Sequence, residues 1–237
     1  MEDAGWLPGT LLARLERPAR SRLLGIGVRQ AIKPDQVLFR EGFPGTDVVL
    51  LGSAIAKITA MMADGRRALL AIRLPGDIVG ETAALNDGPR TATVTSCRQA
   101  IVYRINRSEF RAFLRDNPEV MLHLTSVLAE RVRWSDQRRL DYTSCTVGVC
   151  LARVLWELAT TYGRRNPEGL VIGERITQDE LATLCGAAEI TVQKAFQALR
   201  KEGIVTTRYR RIVVRNIEGL RGAAELDPQL RPLPTMG

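Results

Sequence analysis

The chain has few of the residues that most metal sites and disulfide scaffolds require. Its 237 residues include one histidine and four cysteines, Cys97, Cys145, Cys150 and Cys185. Apart from one C-x4-C pair the cysteines lie far apart, which matches neither a metal-ligand spacing nor a secreted disulfide framework. The sequence therefore predicts no metal centre, no tightly bound cofactor and a reducing, cytoplasmic compartment.

Long apolar runs and catalytic motifs are also missing. No stretch approaches the ~18 apolar residues of a membrane span, and the N-terminal residues lack the apolar core of a signal peptide. The sequence shows no nucleophile-base pair and no phosphate-binding P-loop pattern. These absences favour a soluble binding protein over an enzyme or a membrane protein.

Positive charge is present in excess, and nearly all of it is arginine. Lys and Arg number 34 against 26 Asp and Glu, a formal net charge of +8. Only four of these cations are lysines, so the surface is rich in guanidinium groups that hold phosphate in a bidentate fork. An anionic partner such as nucleic acid is one explanation, and a genome-wide bias toward arginine codons is another.

The pattern of apolar and turn-forming residues changes several times along the chain. Short β-branched runs separated by Gly, Pro and Asn turns indicate an antiparallel β barrel or sandwich, and later segments have helical spacing of apolar residues. Within the last domain, residues 163–169 are predicted to form a loop. The predicted division is a helical lead-in (1–30), a β domain (31–116), a long helix (117–146), a mainly helical domain (147–221) and a tail (222–237).

The long helix carries an apolar stripe over about 28 residues. A helix of this length between two compact parts commonly pairs with a copy of itself. The alternative is a single helix that packs on its own domain. The stripe that would form the seam of a homodimer consists of Met121, Leu124, Leu128, Val132, Ser135, Tyr142 and Cys145.

Two short helices around a glycine follow in the last domain. Thr177 and Glu180 have the spacing of a capping box, which starts a helix at Thr177. Gly186 breaks this helix, and a second stripe ends at Gly203; its apolar residues are Ile190, Val192, Phe196 and Leu199. The spacing is that of a helix-turn-helix, although a plain packing unit of two helices has the same pattern.

Charge placement favours DNA binding by this unit. Residues 191–221 contain eight basic and two acidic side chains. The basic run 208–211 lies between two short predicted strands, where a wing would contact phosphates. At the start of the second helix Ala188 offers no capping oxygen, and Glu189 either accepts from a cytosine amino group or weakens binding. The predicted contacts to DNA are Thr177, Gln178, Glu189, Thr191, Gln193, Lys194, Arg208, Arg210 and Arg211.

A candidate anion pocket lies in the β domain. The segment 75–85 combines a tight turn with a Gly-Glu pair, and an Arg-Thr pair follows at Arg90 and Thr91. An arginine with an adjacent hydroxyl can neutralise a phosphate, while Glu81 can accept from a sugar hydroxyl. A structural salt bridge between Glu81 and Arg90 is the alternative.

An ordered series of motifs from about 31 to 217 resembles one protein family. The sequence is similar to the catabolite-activator and fumarate-nitrate-regulator (CRP/FNR) family of bacterial transcription factors. The motifs are Phe39-Arg40-Glu41-Gly42, Leu51-Gly52, Asp64-Gly65-Arg66, Pro75-Gly76-Asp77, Gly80-Glu81, Pro89 to Val94, and Ile176 to Ala182 followed by Gly186. The resemblance implies an α+β fold: an N-terminal β-roll (double-stranded β-helix) that binds cyclic nucleotides, a long dimerisation helix and a C-terminal winged helix-turn-helix.

The resemblance also implies roles for individual residues. Gly80 and Glu81 match the pair whose acid takes the ribose hydroxyl, and Arg90 and Thr91 match the pair that takes the cyclic phosphate. Residues 80–91 thus resemble the phosphate-binding cassette of the family, and Thr82 stands where this cassette usually has an apolar residue. On the long helix Ser135 and Asp136 stand where the cyclic-AMP-responsive activator places two hydroxyls against adenine, so cyclic GMP or a cyclic dinucleotide stays open beside cyclic AMP.

The sequence as a whole predicts a homodimeric transcription regulator. The expected partners are double-stranded DNA, a second copy of the chain and RNA polymerase, with cyclic AMP as the first candidate effector. Residues 188–191 replace the family's usual base-reading residues, so no operator sequence is carried over. Two alternatives stay open: a DNA-binding regulator with a vestigial pocket, and a cyclic-nucleotide-binding module that acts through a protein partner.

Overall fold

The computed structural model describes residues 6–172, 176–208 and 211–226. The chain divides into two compact units, with the boundary between Val132 and Arg133. The boundary lies within the long helix α5 (Pro118–Ser144), which contributes residues to both units.

Two short helices open the N-terminal unit. They are α1 (Leu11–Arg14) and α2 (Arg17–Gly25). Pro18 lies in the first turn of α2, where a missing N–H costs no hydrogen bond. Their leucines are fully buried against the rest of the unit, so the lead-in is part of the core. The first strand begins at Val28, before the predicted end of the lead-in at residue 30, because Val28 already pairs with Arg104.

Two four-stranded antiparallel sheets form the β-roll. One sheet has the order β1-β8-β3-β6 and the other β2-β7-β4-β5. The helices α3 (Glu81–Asn86) and α4 (Arg107–Asp116) flank them. The strands are β1 (Val28–Ile32), β2 (Val37–Phe39), β3 (Asp47–Leu50), β4 (Ala56–Met61), β5 (Arg67–Arg73), β6 (Ile78–Val79), β7 (Thr93–Ser96) and β8 (Ala100–Asn106).

Alternate residues of one strand enter two different cores. In β3, Val49 packs in the core between the two sheets, and its neighbours Val48 and Leu50 pack against the helices. The period of two that places successive side chains on opposite faces explains this division. Because both faces are covered, the sequence of β3 has consecutive apolar residues without polar alternation.

The predicted seam of α5 is in part buried within the N-terminal unit. Leu124 is fully buried in the helical core together with Val120 and Val127, and Leu128 packs against the same cluster. The exposed apolar side chains of this half of α5 are Met121, Leu122 and Val132. The helix therefore has two offset stripes, and the sequence pattern assigned Leu124 and Leu128 to the wrong one.

The C-terminal unit combines helices with a four-stranded sheet of order β11-β12-β10-β9. Residues 163–169 are not a plain loop as predicted, because β9 pairs with β10 and β10 pairs with β12. The last helix runs to Ala223, past the predicted domain end at residue 221. The elements are α6 (Val147–Tyr162), β9 (Arg164–Asn166), β10 (Gly169–Ile172), α7 (Gln178–Leu184), α8 (Glu189–Lys201), β11 (Val205–Arg208), β12 (Arg211–Val214) and α9 (Ile217–Ala223).

Two absences hold for the described part of the chain. None of its helices has both the length and the hydropathy that a membrane crossing requires. None of its His, Cys, Asp and Glu side chains gather in threes as a metal ion would need.

Candidate effector pocket and DNA-binding surface

The backbone of Gly80, just before α3, lies in close contact with the side chains of Arg90 and Phe39. Gly80 has a φ of +86°, a conformation that favours glycine. A Cβ atom at this position would lie 2.5 Å from Nη1 of Arg90 and 2.8 Å from the ring of Phe39. Glycine at position 80 therefore lets the Arg90 side chain pass directly over the backbone.

Arg90 lies inside the β-roll with both of its Nη atoms hydrogen-bonded. Its side chain is 4% exposed. Nη1 donates to the carbonyl of Gly80 at 3.1 Å, and Nη2 donates to the backbone carbonyl of Asp47 at 2.7 Å. The guanidinium also stacks on Phe39, with 3.6 Å between Cζ and the ring centroid. The arginine is held rigidly from three sides.

The carboxylate of Asp47 bridges two arginines. Its Oδ1 accepts from Nη2 of Arg90 at 2.5 Å, and its Oδ2 accepts from Nη1 of Arg104. Burial lowers the pKa of Arg90, and the Asp47 charge opposes this shift. An arginine side chain in a protein stays protonated, so the site is an ion triad of two guanidinium groups and one carboxylate.

Glu81 has a different partner. Its Oε1 accepts from Nη1 of Arg131 at 2.7 Å, and Arg131 also donates to the carbonyl of Ile78 at 2.9 Å and to Asp77 at 3.3 Å. Arg131 comes from α5, so the long helix is tied to the cassette inside the N-terminal unit. The alternative of a direct Glu81 to Arg90 salt bridge is wrong, because each charge pairs with another residue.

The other predicted effector contacts are spread over two units. Thr82 is exposed on α3, and Thr91 is exposed in the bend after Arg90. Ser135 and Asp136 are exposed on the part of α5 that belongs to the C-terminal unit. The structure thus brings Gly80, Glu81 and Arg90 together within one cassette.

The capping box of the helix-turn-helix is confirmed. Thr177 Oγ1 accepts from the amide of Glu180 at 3.1 Å, and Glu180 Oε2 accepts from the amide of Thr177 at 2.8 Å. The helix α7 that follows ends at Leu184, before Gly186 with a φ of +60°. Local sequence therefore sets both ends of the first helix.

The second half of α5 contacts the turn between the two helices. Arg138 and Tyr142 both donate to the carbonyl of Leu184, at 2.8 and 2.9 Å. Arg138 is buried, stacks on Trp134 at 4.2 Å and pairs with Glu157 of α6 at 3.0 Å. The turn is thus held by hydrogen bonds from two consecutive turns of α5.

The second helix α8 presents its first turn to solvent. Ala188 precedes it without a side-chain cap, as the sequence predicts. Glu189, Thr191 and Lys194 are exposed on it. Ile190 was expected in the apolar stripe of this helix, but its side chain is 63% exposed, and Val192, Phe196 and Leu199 form the buried face without it.

The remaining predicted DNA contacts are placed as follows. Thr177 is exposed, and Gln178 and Gln193 are half-buried. Gln193 donates to Glu189 at 3.1 Å on the same helix. On the hairpin, Arg208 is the last residue of β11, Arg211 is exposed at the start of β12, and Arg210 lies outside the described residues.

Three side chains at these sites were missed in the sequence. Asp47 is an acid at the start of an apolar strand, a pattern that signals a buried charge in need of a partner. Arg131 has no local signal, since its partners lie about 50 residues away. Ile190 was misassigned, because residues two apart on a helix do not share a face and Ile190 therefore lies away from the buried side of Val192.

Comparison with known proteins places this geometry in a family. A family model described as cyclic nucleotide-binding domain matches residues 29–117. A second one, described as Crp-like helix-turn-helix domain, matches residues 151–223. The two matches cover the β-roll and the helix-turn-helix separately.

Several relatives match this chain over most of their own length. The chain is 31% identical over 183 residues to the CRP-like cAMP-activated global transcriptional regulator of Mycobacterium tuberculosis, covering 77% of this chain and 82% of that one. It is 27% identical over 168 residues to the cyclic AMP receptor protein of Thermus thermophilus, covering 71% and 74%. The structure of the c-di-GMP-responsive global regulator of Xanthomonas campestris shares the fold, with a TM-score of 0.74 at 19% identity, over 85% of this chain and 100% of that one. With its β-roll cassette, long helix and winged helix-turn-helix, the chain belongs to the CRP/FNR family of transcription regulators.

Proposed function

We propose that this regulator binds DNA as a homodimer and that a cyclic nucleotide in the β-roll cassette controls its binding. The observation that carries the proposal is the convergence of Gly80, Glu81 and Arg90 in one cassette, where the Arg90 side chain passes over the backbone of Gly80. Arg90 would hold the cyclic phosphate, Glu81 the ribose hydroxyl, and Thr91 a phosphate oxygen. Cyclic AMP is the first candidate, because the relatives from Mycobacterium tuberculosis and Thermus thermophilus are named for it.

Control of DNA binding would act through α5. A nucleotide that takes the hydrogen bonds of Glu81 competes with Arg131, which lies on the same continuous helix as Arg138 and Tyr142. Those two residues hold the turn of the helix-turn-helix through the Leu184 carbonyl. Such an effector shifts the protein only through unequal affinity for the two arrangements.

The exposed apolar stripe of α5 would form the dimer seam. Leu122 is 70% exposed, Val132 and Leu140 are each 60% exposed, and their spacing places them near one face of the helix. A dimer places two copies of α8 for adjacent major grooves. We further propose that the protein acts in the cytoplasm without catalysis of its own and that RNA polymerase is its partner at promoters.

Direct contacts to DNA would come from the first turn of α8 and from the hairpin. Glu189 would accept from a cytosine amino group, and Ile190 would contact a thymine methyl group. Thr191, Gln193 and Lys194 would support them, with Thr177 and Gln178 at the start of α7 and Arg208, Arg210 and Arg211 on phosphates. The division of the chain proposed from sequence, with a β-roll at 31–116 and a DNA-binding domain at 147–221, serves these two roles.

Thermal unfolding with candidate nucleotides tests the effector. The full chain is heated with cyclic AMP, cyclic GMP or cyclic di-GMP, and a ligand at 100 times its dissociation constant stabilises by about 2.7 kcal/mol. Arg90→Ala should abolish the shift. Arg111→Ala is the matched control, because Arg111 also donates to backbone carbonyls and to a carboxylate in the same unit. No shift with any nucleotide contradicts the proposal.

A second candidate function is a regulator that needs no effector. The observation in its favour is that Asp47 and Arg131 already neutralise Arg90 and Glu81 within the chain. Selection of operator fragments from a random DNA pool, followed by affinity measurement with and without nucleotide, separates the two functions. Equal operator affinity in both conditions favours the second.

A further inference from the structure

The guanidinium that would hold the effector phosphate is already bound to a carboxylate of the same chain. We propose that Asp47 is an internal anion that occupies Arg90, and that a cyclic phosphate must displace it, so that Asp47 sets the effector affinity of this regulator. The inference rests on the proposed binding of a cyclic nucleotide at the cassette. Neither the family match nor the names of the relatives assign a role to Asp47.

The Asp47 carboxylate and a cyclic phosphate are chemically equivalent partners for Arg90. A carboxylate and a phosphate present the same kind of anionic oxygen to the donors of a guanidinium. Asp47 Oδ1 accepts a hydrogen bond from Nη2 of Arg90, and a hydrogen bond between two charged groups is stronger than one between neutral groups. With 4% of its side chain exposed, Arg90 has little free surface for a second anion. Because Nη2 already donates to two acceptors, a phosphate that binds Nη2 of Arg90 has to take the place of one of them.

Among these acceptors of Arg90, the Asp47 carboxylate is the one that can leave. Two acceptors of Arg90 are the backbone carbonyls of Gly80 and Asp47, which belong to the cassette turn and to β3. Moving either would distort the backbone that shapes the site. The Asp47 carboxylate is a side chain with two rotatable bonds, so it can turn away while β3 stays in place.

The displaced Asp47 carboxylate keeps a second arginine as its partner. Its other oxygen already accepts from Arg104, whose side chain is 29% exposed. Arg104 also lies over Phe39, with 5.4 Å between Cζ and the ring centroid. Asp47 can therefore keep one arginine while it releases the other. Two arginines and one aspartate leave one net positive charge, which the single negative charge of a cyclic phosphodiester balances.

A purely structural role for Asp47 makes a different prediction. If Asp47 only neutralises two arginines, its removal destabilises the unit without improving ligand binding, because a buried charge loses its partner. If Asp47 competes with the ligand, its removal destabilises the free protein and strengthens binding. Affinity separates the two roles, whereas stability alone does not.

The experiment is isothermal titration of the full-length protein with cyclic AMP, repeated with cyclic GMP and cyclic di-GMP. Asp47→Asn keeps the size of the side chain and removes its charge. We expect it to bind the effector at least about tenfold more tightly than the native chain, since a charge-assisted hydrogen bond no longer has to be broken. Arg104→Gln should bind more weakly, because the displaced carboxylate loses its second partner.

The chain offers a matched control pair. Asp87 bridges Arg107 and Arg111 on the surface of the same unit, as Asp47 bridges its two arginines inside. Asp87→Asn and Arg107→Gln make the same changes in charge away from the cassette. Both should leave the affinity within about twofold of the native value, since exposed charges are screened by salt.

The outcomes are distinguishable. Tighter binding by Asp47→Asn than by the native chain, with no change in Asp87→Asn, supports the proposal, whereas binding that appears only in Asp47→Asn overturns cyclic-nucleotide control of the native chain. Equal or weaker binding by Asp47→Asn, or an equal gain in Asp87→Asn, overturns the proposal and leaves cyclic-nucleotide control intact. No binding by any variant overturns cyclic-nucleotide control and this inference together. If Asp47→Asn does not fold, Arg104→Gln decides alone, and unchanged or tighter binding by it overturns the proposal.

Discussion

Adding a single methyl group at Gly186 tests how α5 holds the helix-turn-helix. Gly186 has a φ of +60°, and a Cβ atom there would meet the ring of Tyr142 at 3.0 to 3.2 Å. The ring cannot rotate away freely, because its hydroxyl donates to the Leu184 carbonyl. Gly186→Ala therefore has a conformational cost and a packing cost.

The two costs can be separated within the same unit. The left-handed conformation costs an alanine about 1 to 2 kcal/mol. Displacing the ring adds about 1 kcal/mol, the net value of the hydrogen bond that it strains. Gly203 has a φ of +69° and no atom within 4 Å of the corresponding Cβ position, so Gly203→Ala has the first cost alone. We expect Gly186→Ala to lose about 1 kcal/mol more stability.

Hydrogen-deuterium exchange of the full-length protein, read on peptides from α7 and α8, gives the local free energies of opening. The comparison is repeated in a Tyr142→Ala background, where the packing cost should disappear and the two glycine substitutions should cost the same. Equal losses in the native background would refute the reasoning. So would a difference that persists without the Tyr142 ring, because it would not come from α5.

Three further predictions concern other parts of the chain. Leu124→Ala should lower the free energy of unfolding by about 2 to 5 kcal/mol, because it leaves a cavity at a buried site. Leu122→Ala should leave the stability of the monomer unchanged and weaken dimerisation. Denaturation measures the first effect and sedimentation equilibrium the second, and the reverse pattern contradicts our assignment of the two stripes. Ile190→Ala should lower operator affinity by about 1 kcal/mol at a single base position if it contacts a thymine methyl group, as seen in selection of random DNA fragments; a uniform loss at all positions would show a different role. Burial raises the pKa of Cys185 to about 12, so its thiol stays protonated at pH 8. It should therefore react with a disulfide reagent far more slowly than half-buried Cys145. Peptide mass mapping shows which thiol is labelled first, and faster labelling of Cys185 would contradict its burial.

Features that depend on neighbours in sequence were predictable. The capping box joins residues three apart, so Thr177 and Glu180 specify the start of α7 by themselves. The apolar residues of α6 (Val147–Tyr162) recur with the period of a helix, so local sequence specifies this element as well. The order of turn and cassette motifs predicted the β-roll followed by the helix-turn-helix, and the family comparison confirms it.

What only the tertiary structure decided involves residues distant in sequence. Arg90 pairs with Asp47, 43 positions away, instead of with nearby Glu81, because the strand β3 brings its carboxylate beside the buried guanidinium. The apolar pattern placed Leu124 in the dimer seam and left Leu122 out of it, yet packing against α1 and α2 buries Leu124 and leaves Leu122 exposed. A sequence pattern states which side chains need burial or a partner, whereas the packing of distant elements decides which of them obtain it.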